Sequence, residues 1–359
     1  MKESSNLSLL FEPLVLRETI FKNRLWVSPM CQFACTDLDG MPGSWHLVNA
    51  GSYAAGGAGL VMVESTGVSP DGRITDRCPG IWNEAQQNAW VPIVDFIHSQ
   101  GAVAGIQLNH AGRKASGYAN GTSMALEDGG WVTMGPTANK VDGMTVPREM
   151  DQSDIDRVVH DFGTAARRSV SANFDVIELH AAHGYLIHQF LSPLSNERTD
   201  DYGGSLENRA RLLLDIIREI RGIIPETTVV FVRFSASDWA DGGMTPEDTA
   251  VVAKWAESLG ADFFDISSGG LIRNVFISST PGYQVEFSNT VRNAGVLTAA
   301  VGKITTGVQA EEILQQGKAD AIFMARQMIN DPHFPLRAAR ELGVDVDYVP
   351  RPHQMGYWA

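Results

Sequence analysis

Short apolar runs rich in β-branched residues recur along the chain, and longer segments with helical spacing separate them. Runs of this length indicate buried strands, because a helix needs more residues and a 3.6-residue period. We predict about eight strands, the number that closes a parallel barrel. These are Arg24–Ser28, Gly59–Glu64, Val103–Leu108, Asp175–His180, Val229–Phe234, Phe263–Ser267, Leu297–Gly302 and Ala321–Ala325. The predicted helices are Glu84–Ser99, Gln152–Ser171, Leu206–Ile223, Pro246–Leu259, Gln309–Gln316 and Pro332–Leu342.

Strands that alternate with helices predict an α/β fold with a parallel sheet. Eight strands of similar length favour a (β/α)8 TIM barrel over an open doubly wound sheet, and no GxGxxG motif follows the first strand. Residues 112–150, after the third strand, are too long for an ordinary βα connection, so we expect an extended loop excursion that caps the barrel mouth. No linker-like break in composition interrupts the chain, and we expect one domain over residues 1–359.

The formal net charge of -14 argues against general affinity for nucleic acid or an anionic membrane surface, since phosphate binding needs a basic face. The amino-terminal stretch MKESSNLSLLFEPL has no apolar run long enough for a signal peptide or a membrane span. Three cysteines, Cys31, Cys35 and Cys78, are too few for a disulfide scaffold. These features predict a globular protein of the reducing cytoplasm.

Functional side chains of a barrel enzyme lie at the carboxyl ends of its strands. The fourth predicted strand ends in His180, and His183 and Tyr185 follow it. Two imidazoles at this spacing could ligate a metal, donate N–H groups to one substrate oxygen, or serve as helix-capping or core residues. Glu178 lies two residues before His180, points to the same side of the strand, and is a candidate third metal ligand. The residues alone leave these three interpretations open.

The longer segment HAAHGYLIHQFLSPLSNERTDDYGGSLENR resembles the signature of the old yellow enzyme family, most closely its thermophilic-like, or class III, branch. Further matches, over nearly the whole chain, are LFEPL, NRLWVSPMCQF, GRITDRCPGIW, GIQLNHAGRKAS, FVRFSASDW and ADAIFMARQMINDP. The resemblance implies a (β/α)8 barrel that binds FMN non-covalently, accepts hydride from NAD(P)H with NADPH preferred, and assembles as a homodimer or homotetramer.

The activity that the resemblance implies is that of an FMN-dependent NAD(P)H:acceptor oxidoreductase, or ene-reductase. It reduces an activated alkene, such as an α,β-unsaturated carbonyl compound, or a nitro compound, in a ping-pong cycle. A metal-dependent barrel hydrolase using the two histidines and a non-catalytic flavin-binding protein are the alternatives.

In the family, two paired histidines hold the carbonyl oxygen of the substrate. His180 and His183 stand at those motif positions. Tyr185 stands at the position of the general acid that protonates the α-carbon after hydride arrives from flavin N5. Phe33 stands in the substrate pocket where the branch commonly has tyrosine, so the resemblance implies a missing hydroxyl contact. His188 is expected to pack.

The resemblance also assigns flavin contacts. Arg233 matches the cation near flavin N1 and the C2 carbonyl, and Gln107 matches the residue that bonds the pyrimidine edge. Further residues match the segments that line the ring or bind the phosphate: Ser28, Pro29, Met30, Cys31, Ser65, Gly302, Ala325 and Arg326. Cys31 matches a cysteine that adjusts the flavin potential, and Ala325 replaces an expected glycine before Arg326.

The carboxyl-terminal tail departs from the branch pattern. There the branch often sends an arginine from a neighbouring subunit into the substrate pocket, whereas this chain ends in HQMGYWA. Tyr357 or Trp358 is therefore the candidate for packing into a neighbouring pocket or sealing an interface.

Overall fold

A computed structural model describes residues 8–357 of the chain. Its strands are β1 (Leu14–Leu16), β2 (Thr19–Phe21), β3 (Leu25–Val27), β4 (Leu60–Gly67), β5 (Val103–Asn109), β6 (Met134–Gly135), β7 (Arg148–Glu149), β8 (Val176–Ala181), β9 (Val229–Ser235), β10 (Phe263–Ser267), β11 (Thr298–Ala300) and β12 (Ala321–Met324). Its helices are α1 (Ser44–Ala55), α2 (Glu84–Ser99), α3 (Gln152–Ser171), α4 (Leu186–Leu191), α5 (Leu206–Ile223), α6 (Pro246–Ser258), α7 (Val285–Arg292), α8 (Gly307–Gln315), α9 (Arg326–Asn330) and α10 (Phe334–Glu341).

Eight of these strands close into a barrel in the order β3, β4, β5, β8, β9, β10, β11, β12, and β12 pairs with β3. Every pairing within the barrel is parallel. The predicted (β/α)8 barrel is therefore confirmed. The eight predicted strands agree with the observed ones to within three residues at each end.

Three predicted helices have the observed bounds, and each begins directly after a side chain that caps it. Asn83, Asp151 and Ser205 accept hydrogen bonds from backbone N–H groups in the first turns of α2, α3 and α5. Such caps satisfy N–H groups that have no partner within the helix.

The sequence did not predict four helices, α1, α4, α7 and α9, or the hairpin formed by β1 and β2 and the short pair β6 and β7. The α1 sequence SWHLVNAGSYAA contains glycine, asparagine and serine, which are weak helix formers, so packing against α2 and β4 determines its structure. At eight residues, α7 is too short for a clear helical period.

The barrel interior is apolar at its amino-terminal end. Trp26 is fully buried there, and its ring centroid lies 4.8–5.7 Å from four phenylalanine rings. These are Phe21, Phe231, Phe263 and Phe323. We call these five side chains the aromatic plug. Since Phe21 comes from β2, the hairpin closes the bottom of the barrel.

Residues 112–150, the predicted excursion, contain β6, β7 and two short 3-10 turns. Trp131 Nε1 in this segment donates to the Asp71 carbonyl at 2.9 Å, and Arg273 after β10 donates to the Gly121 carbonyl. The excursion is thus tied to the loops that follow two barrel strands. Within residues 8–357, no helix combines the length and apolar character that a membrane crossing requires.

Replacing the centre of the aromatic plug should destabilise the barrel. Trp26→Ala is expected to lower the free energy of unfolding by about 3–5 kcal/mol, because the cavity it leaves is enclosed by rigid rings. Phe276→Ala is the matched control, since Phe276 is 88% exposed and its replacement should change stability by about 0.5 kcal/mol or less. Urea unfolding monitored by circular dichroism measures both. Equal losses in the two variants would contradict this account of the core.

Candidate active site

Polar side chains replace the apolar ones where the barrel strands approach their carboxyl ends. Strand register places Gln107 of β5 beside Glu178 of β8, and Arg233 of β9 beside both His180 and Asp265 of β10. Gln107, Glu178, Arg233 and Asp265, which are all buried, are called the polar layer below. On β9 and β10, Arg233 and Asp265 each lie two residues further along the strand than Phe231 and Phe263 of the aromatic plug.

A tight turn after β8 brings three predicted site residues together. The ring centroid of His180 lies 5.1 Å from that of His183 and 4.8 Å from that of Tyr185. His183 and Gly184 both have positive φ, 56° and 72°. A Cβ at Gly184 would lie 2.4 Å from the Gly270 carbonyl oxygen, so the turn requires glycine at this position.

Both histidines are neutral imidazoles at neutral pH. Burial, reinforced by the positive charge of Arg233, lowers the pKa of His180 and of His183 well below the ordinary value. The Ala182 N–H donates to Nδ1 of His180 at 3.3 Å, so the proton of the neutral ring is on Nε2. Nε2 of His183 lies 2.8 Å from Ser267 Oγ. His180 therefore has an N–H group that can donate to a ligand oxygen.

Tyr185 is a phenol at neutral pH, since burial raises its pKa well above the ordinary value. Lys114 Nζ lies 4.9 Å from the centroid of the Tyr185 ring and donates to the carbonyls of His183 at 2.8 Å and Gly270 at 2.9 Å. Burial lowers the pKa of Lys114 to about 8. Lys114 thus holds the turn that carries Tyr185.

Lys114 was not predicted, because it lies at the end of the 3-10 turn Gly112–Lys114 rather than at a strand end, and no local pattern marks its position. Asp265 was not predicted either, although a signal for it exists. Asp265 interrupts the apolar strand FFDIS and lies two residues before Ser267, on the inward side.

The polar layer contains two hydrogen-bonding or ionic pairs. Gln107 Nε2 donates to Glu178 Oε1 at 2.7 Å. Arg233 Nε lies 3.0 Å from Asp265 Oδ2. Glu178 thus contacts an amide, and Asp265 contacts a guanidinium.

A cavity of about 240 Å³ extends from Arg233 to Arg326 along the ends of β11 and β12, and Gly302 and Ala325 line it. Gly302 has φ 118°, and a Cβ there would lie 2.7 Å from Gln284 Nε2. Ala325, which stands where glycine was expected, has φ -107° and ψ -92°, a combination outside both the helical and the extended regions. The Arg326 side chain and nearby backbone amides therefore lie at one end of the cavity, and the Arg233 side chain lies at the other end.

The segment after β3 forms another part of the rim. Ser28 Oγ and Ser65 Oγ are buried and have no hydrogen-bond partner among the described residues. The Gln32 N–H donates to Glu64 Oε2 at 2.8 Å, and Glu64 also lies 3.3 Å from His46 Nε2. A register shift between β4 and β5 at Val63/Ser65 gives this strand end its irregular geometry. Glu64 thus anchors the chain that carries the predicted ring-lining residues.

The remaining predicted residues of this segment are Pro29, Met30, Cys31 and Phe33, and all are half-buried. Phe33 has φ 53°, so the chain bends sharply there. Burial raises the pKa of Cys31 well above the ordinary value, which keeps it a thiol. All three cysteines are free.

No group of three or more His, Cys, Asp or Glu side chains within residues 8–357 is arranged to hold a metal ion. His188 is buried, accepts from the Gly184 N–H at 2.9 Å, and lies 3.0 Å from Asp238 Oδ1. His188 therefore supports the turn that carries His183 and Tyr185.

Comparisons with known proteins agree with this geometry. The profile of the NADH:flavin oxidoreductase / NADH oxidase family matches residues 9–344. NADPH dehydrogenase of Geobacillus sp. (strain WCH70) is 42% identical over 341 residues, which cover 94% of this chain and 96% of the relative. NADPH dehydrogenase of Bacillus subtilis (strain 168) is 43% identical over 342 residues, with coverage of 94% and 96%. The solved old yellow enzyme homologue from Zymomonas mobilis is 29% identical, with a TM-score of 0.78 and coverage of 94% of each chain.

The lowered pKa values predict that His180 and His183 stay neutral as the pH falls through the ordinary imidazole range, near 6.5. His98 is an internal control, because its hydrogen bond to Asp175 raises its pKa. It should protonate at higher pH than either site histidine. Nitrogen-15 NMR of selectively labelled histidine, assigned with single His→Gln variants, follows each ring. Protonation of His180 or His183 together with His98 would contradict the described electrostatics.

Proposed function

Because the chain belongs to the NADH:flavin oxidoreductase / NADH oxidase family and is an FMN-dependent NAD(P)H oxidoreductase, we propose that it reduces activated carbon–carbon double bonds. The observation that carries this proposal is the convergence of two neutral imidazoles and one phenol at the barrel mouth. Such a set can polarise a carbonyl oxygen and supply a proton to a nearby carbon. Substrates of this kind are α,β-unsaturated carbonyl compounds and related electrophiles, including nitro compounds.

The polar groups at the mouth fit FMN. Arg233 is the cation suited to the pyrimidine side of a reduced ring, and Gln107 can both donate and accept at its edge. The hydroxyls of Ser28 and Ser65, which have no partner among the described residues, would be free to contact the ring. The phosphate would bind among Gly302, Ala325 and Arg326, since backbone amides at the ends of the seventh and eighth barrel strands commonly bind phosphate.

When bound, FMN would supply the hydride, having received it from NAD(P)H. His180 and His183 bind the substrate oxygen and stabilise the negative charge that develops there. Tyr185 gives its phenolic proton to the α-carbon, a basic position once the enolate has formed. Lys114 keeps Tyr185 in place through its two bonds to neighbouring carbonyl groups.

The proposed donor is NADPH, which the names of the relatives support. Nicotinamide and alkene use the same site in turn, so the cycle is ping-pong. Phe33 has no hydroxyl to offer a substrate, and the pocket beside it therefore favours apolar groups. Cys31 adjusts the flavin potential as a neutral thiol.

We also propose that the protein is a single domain with residues 112–150 as its cap, works in the cytoplasm, and forms a homodimer or homotetramer. Two apolar side chains of α1, Trp45 and Val48, are exposed, and so is Met355 in the carboxyl-terminal tail. Exposed apolar surface of this kind supports an interface between subunits. Tyr357 belongs to the same tail and is a candidate interface residue, whereas Trp358 lies outside the described residues.

Tyr185→Phe should retain flavin reduction by NADPH but slow flavin reoxidation by an enone about 10²–10⁴-fold, the usual contribution of a general acid. Anaerobic stopped-flow absorbance measures each half-reaction separately. Tyr118→Phe is the matched control, because Tyr118 lies exposed in the excursion and should not change either rate. If Tyr185→Phe slows both half-reactions equally, Tyr185 is not the proton donor.

His180→Ala should lower the rate of enone reduction about 10²–10³-fold, because one donor to the developing oxyanion is lost. His160→Ala removes an exposed imidazole from α3 and serves as control. Single-turnover kinetics at saturating enone tests the difference. Unchanged single-turnover rates in His180→Ala would argue against oxyanion binding by this residue.

A further inference from the structure

The polar layer contains two acids but one cation. Glu178 and Asp265 are fully buried, and Arg233 is the cation that acts on both. With both acids ionised, the layer would carry one uncompensated negative charge in the interior of the barrel. An unpaired buried charge is strongly unfavourable, so one carboxyl group retains its proton.

The contacts identify which carboxyl group is protonated. Asp265 Oδ2 lies 3.0 Å from Nε of Arg233, an ion-pair distance, although neither this nitrogen nor either Asp265 oxygen has a hydrogen-bond partner among the described residues. Charge proximity rather than hydrogen bonding therefore pairs Asp265 with Arg233. Glu178 instead accepts from the neutral amide of Gln107, and its second oxygen, Oε2, has no partner among the described residues. A carboxylate so placed would be unpaired, whereas a protonated carboxyl group has no charge to compensate.

The electrostatics agree with this assignment. Burial, and after it the negative charge of Asp265, raise the pKa of Glu178 to about 8, although Arg233 and the Gln107 amide oppose the shift. Burial also raises the pKa of Asp265, but Arg233 limits that shift. At neutral pH the layer therefore contains a guanidinium, one carboxylate and one carboxylic acid.

We propose that Asp265 and a protonated Glu178 are positioning residues for the flavin, and that ionisation of Glu178 makes the bound flavin harder to reduce. Asp265 orients the Arg233 guanidinium, and Glu178 orients the Gln107 amide. With Gln107 Nε2 bonded to Glu178, Gln107 Oε1 remains available to accept from an N–H of the ring. This inference rests on the proposed flavin site.

The consequence is a pH-dependent flavin potential. Negative charge near N1 of the reduced ring is stabilised by Arg233, and a carboxylate formed at Glu178 would offset that effect. The reduction potential of bound FMN should therefore fall more steeply with pH above about 8 than below it.

The test is a spectroelectrochemical titration of the wild-type holoenzyme and of Glu178→Gln across this pH range. Glutamine keeps an acceptor for Gln107 Nε2 and cannot ionise. The reduction potentials of the two proteins should coincide about one pH unit below pH 8. Above a pH of about 8 they should diverge, and the potential of the wild type should be the more negative one. Glu226→Gln is the matched control: Glu226 is almost fully exposed, and its replacement should follow the wild type throughout.

Two results would overturn the proposal. A constant offset between wild type and Glu178→Gln at every pH would mean that Glu178 is already ionised. Superimposable profiles throughout would mean that its protonation does not affect the flavin. A wild-type protein that binds no FMN would instead refute the flavin site itself, so the two failures are distinguishable.

Two further measurements keep the proposal testable if Glu178→Gln does not fold. In the infrared spectrum of the wild-type holoenzyme, a carboxylic-acid C=O stretching band should be present below pH of about 8 and lost above it. Asp265→Asn should move the break in the potential profile to lower pH, because Asp265 no longer opposes ionisation of Glu178. A band that persists above this pH, or an unmoved break, contradicts the assignment.

Discussion

Closing eight parallel strands into a barrel turns every second side chain inward, and the identity of those side chains determines what this protein can do. At the amino-terminal end, Trp26 and its phenylalanine neighbours form a buried cluster in the interior. Two residues after Phe231 and Phe263, Arg233 and Asp265 provide a guanidinium and a carboxyl group, and the neighbouring strands β5 and β8 add an amide and a second carboxyl group. Burial of the apolar side chains therefore fixes the position of the polar groups along the barrel axis. It also keeps water from coming between these polar groups.

Burial also sets the protonation states on which the proposed chemistry depends. It keeps His180 and His183 neutral and Tyr185 a phenol, so that the site offers hydrogen-bond donors rather than charges. Arg233 and Lys114 are the charged exceptions, and Asp265 lies beside Arg233. Neutral donors beside fixed cations suit a reaction in which negative charge develops first on a flavin and then on a substrate oxygen.

The sequence predicted the parts of this arrangement that depend on periodicity. Short apolar runs rich in β-branched residues located the barrel strands, and helical spacing located α2, α3 and α5. Strand-end reasoning and family resemblance together selected His180, His183 and Tyr185, which the fold brings into ring contact. Their catalytic roles, and the flavin contacts of Gln107, Arg233 and Arg326, remain predictions.

The structural features that the sequence did not predict depend on contacts between distant segments of the chain. Lys114 reaches the Tyr185 turn only because a 3-10 turn follows β5, and α1 is stabilised by packing more than by its own residues. Glu178 was considered as a metal ligand, yet its partner is the Gln107 amide, a contact set by the register of two strands.

The central claim is that one site, built on these strand ends, first reduces its flavin and then passes the electrons to an alkene. Anaerobic mixing of the purified wild-type protein with one equivalent of NADPH, followed by cyclohexenone, tests this most directly. The account predicts that NADPH bleaches the visible flavin absorbance and that cyclohexenone restores it with formation of cyclohexanone. A protein whose flavin is not bleached, or whose reduced flavin is not reoxidised by the enone, would contradict it.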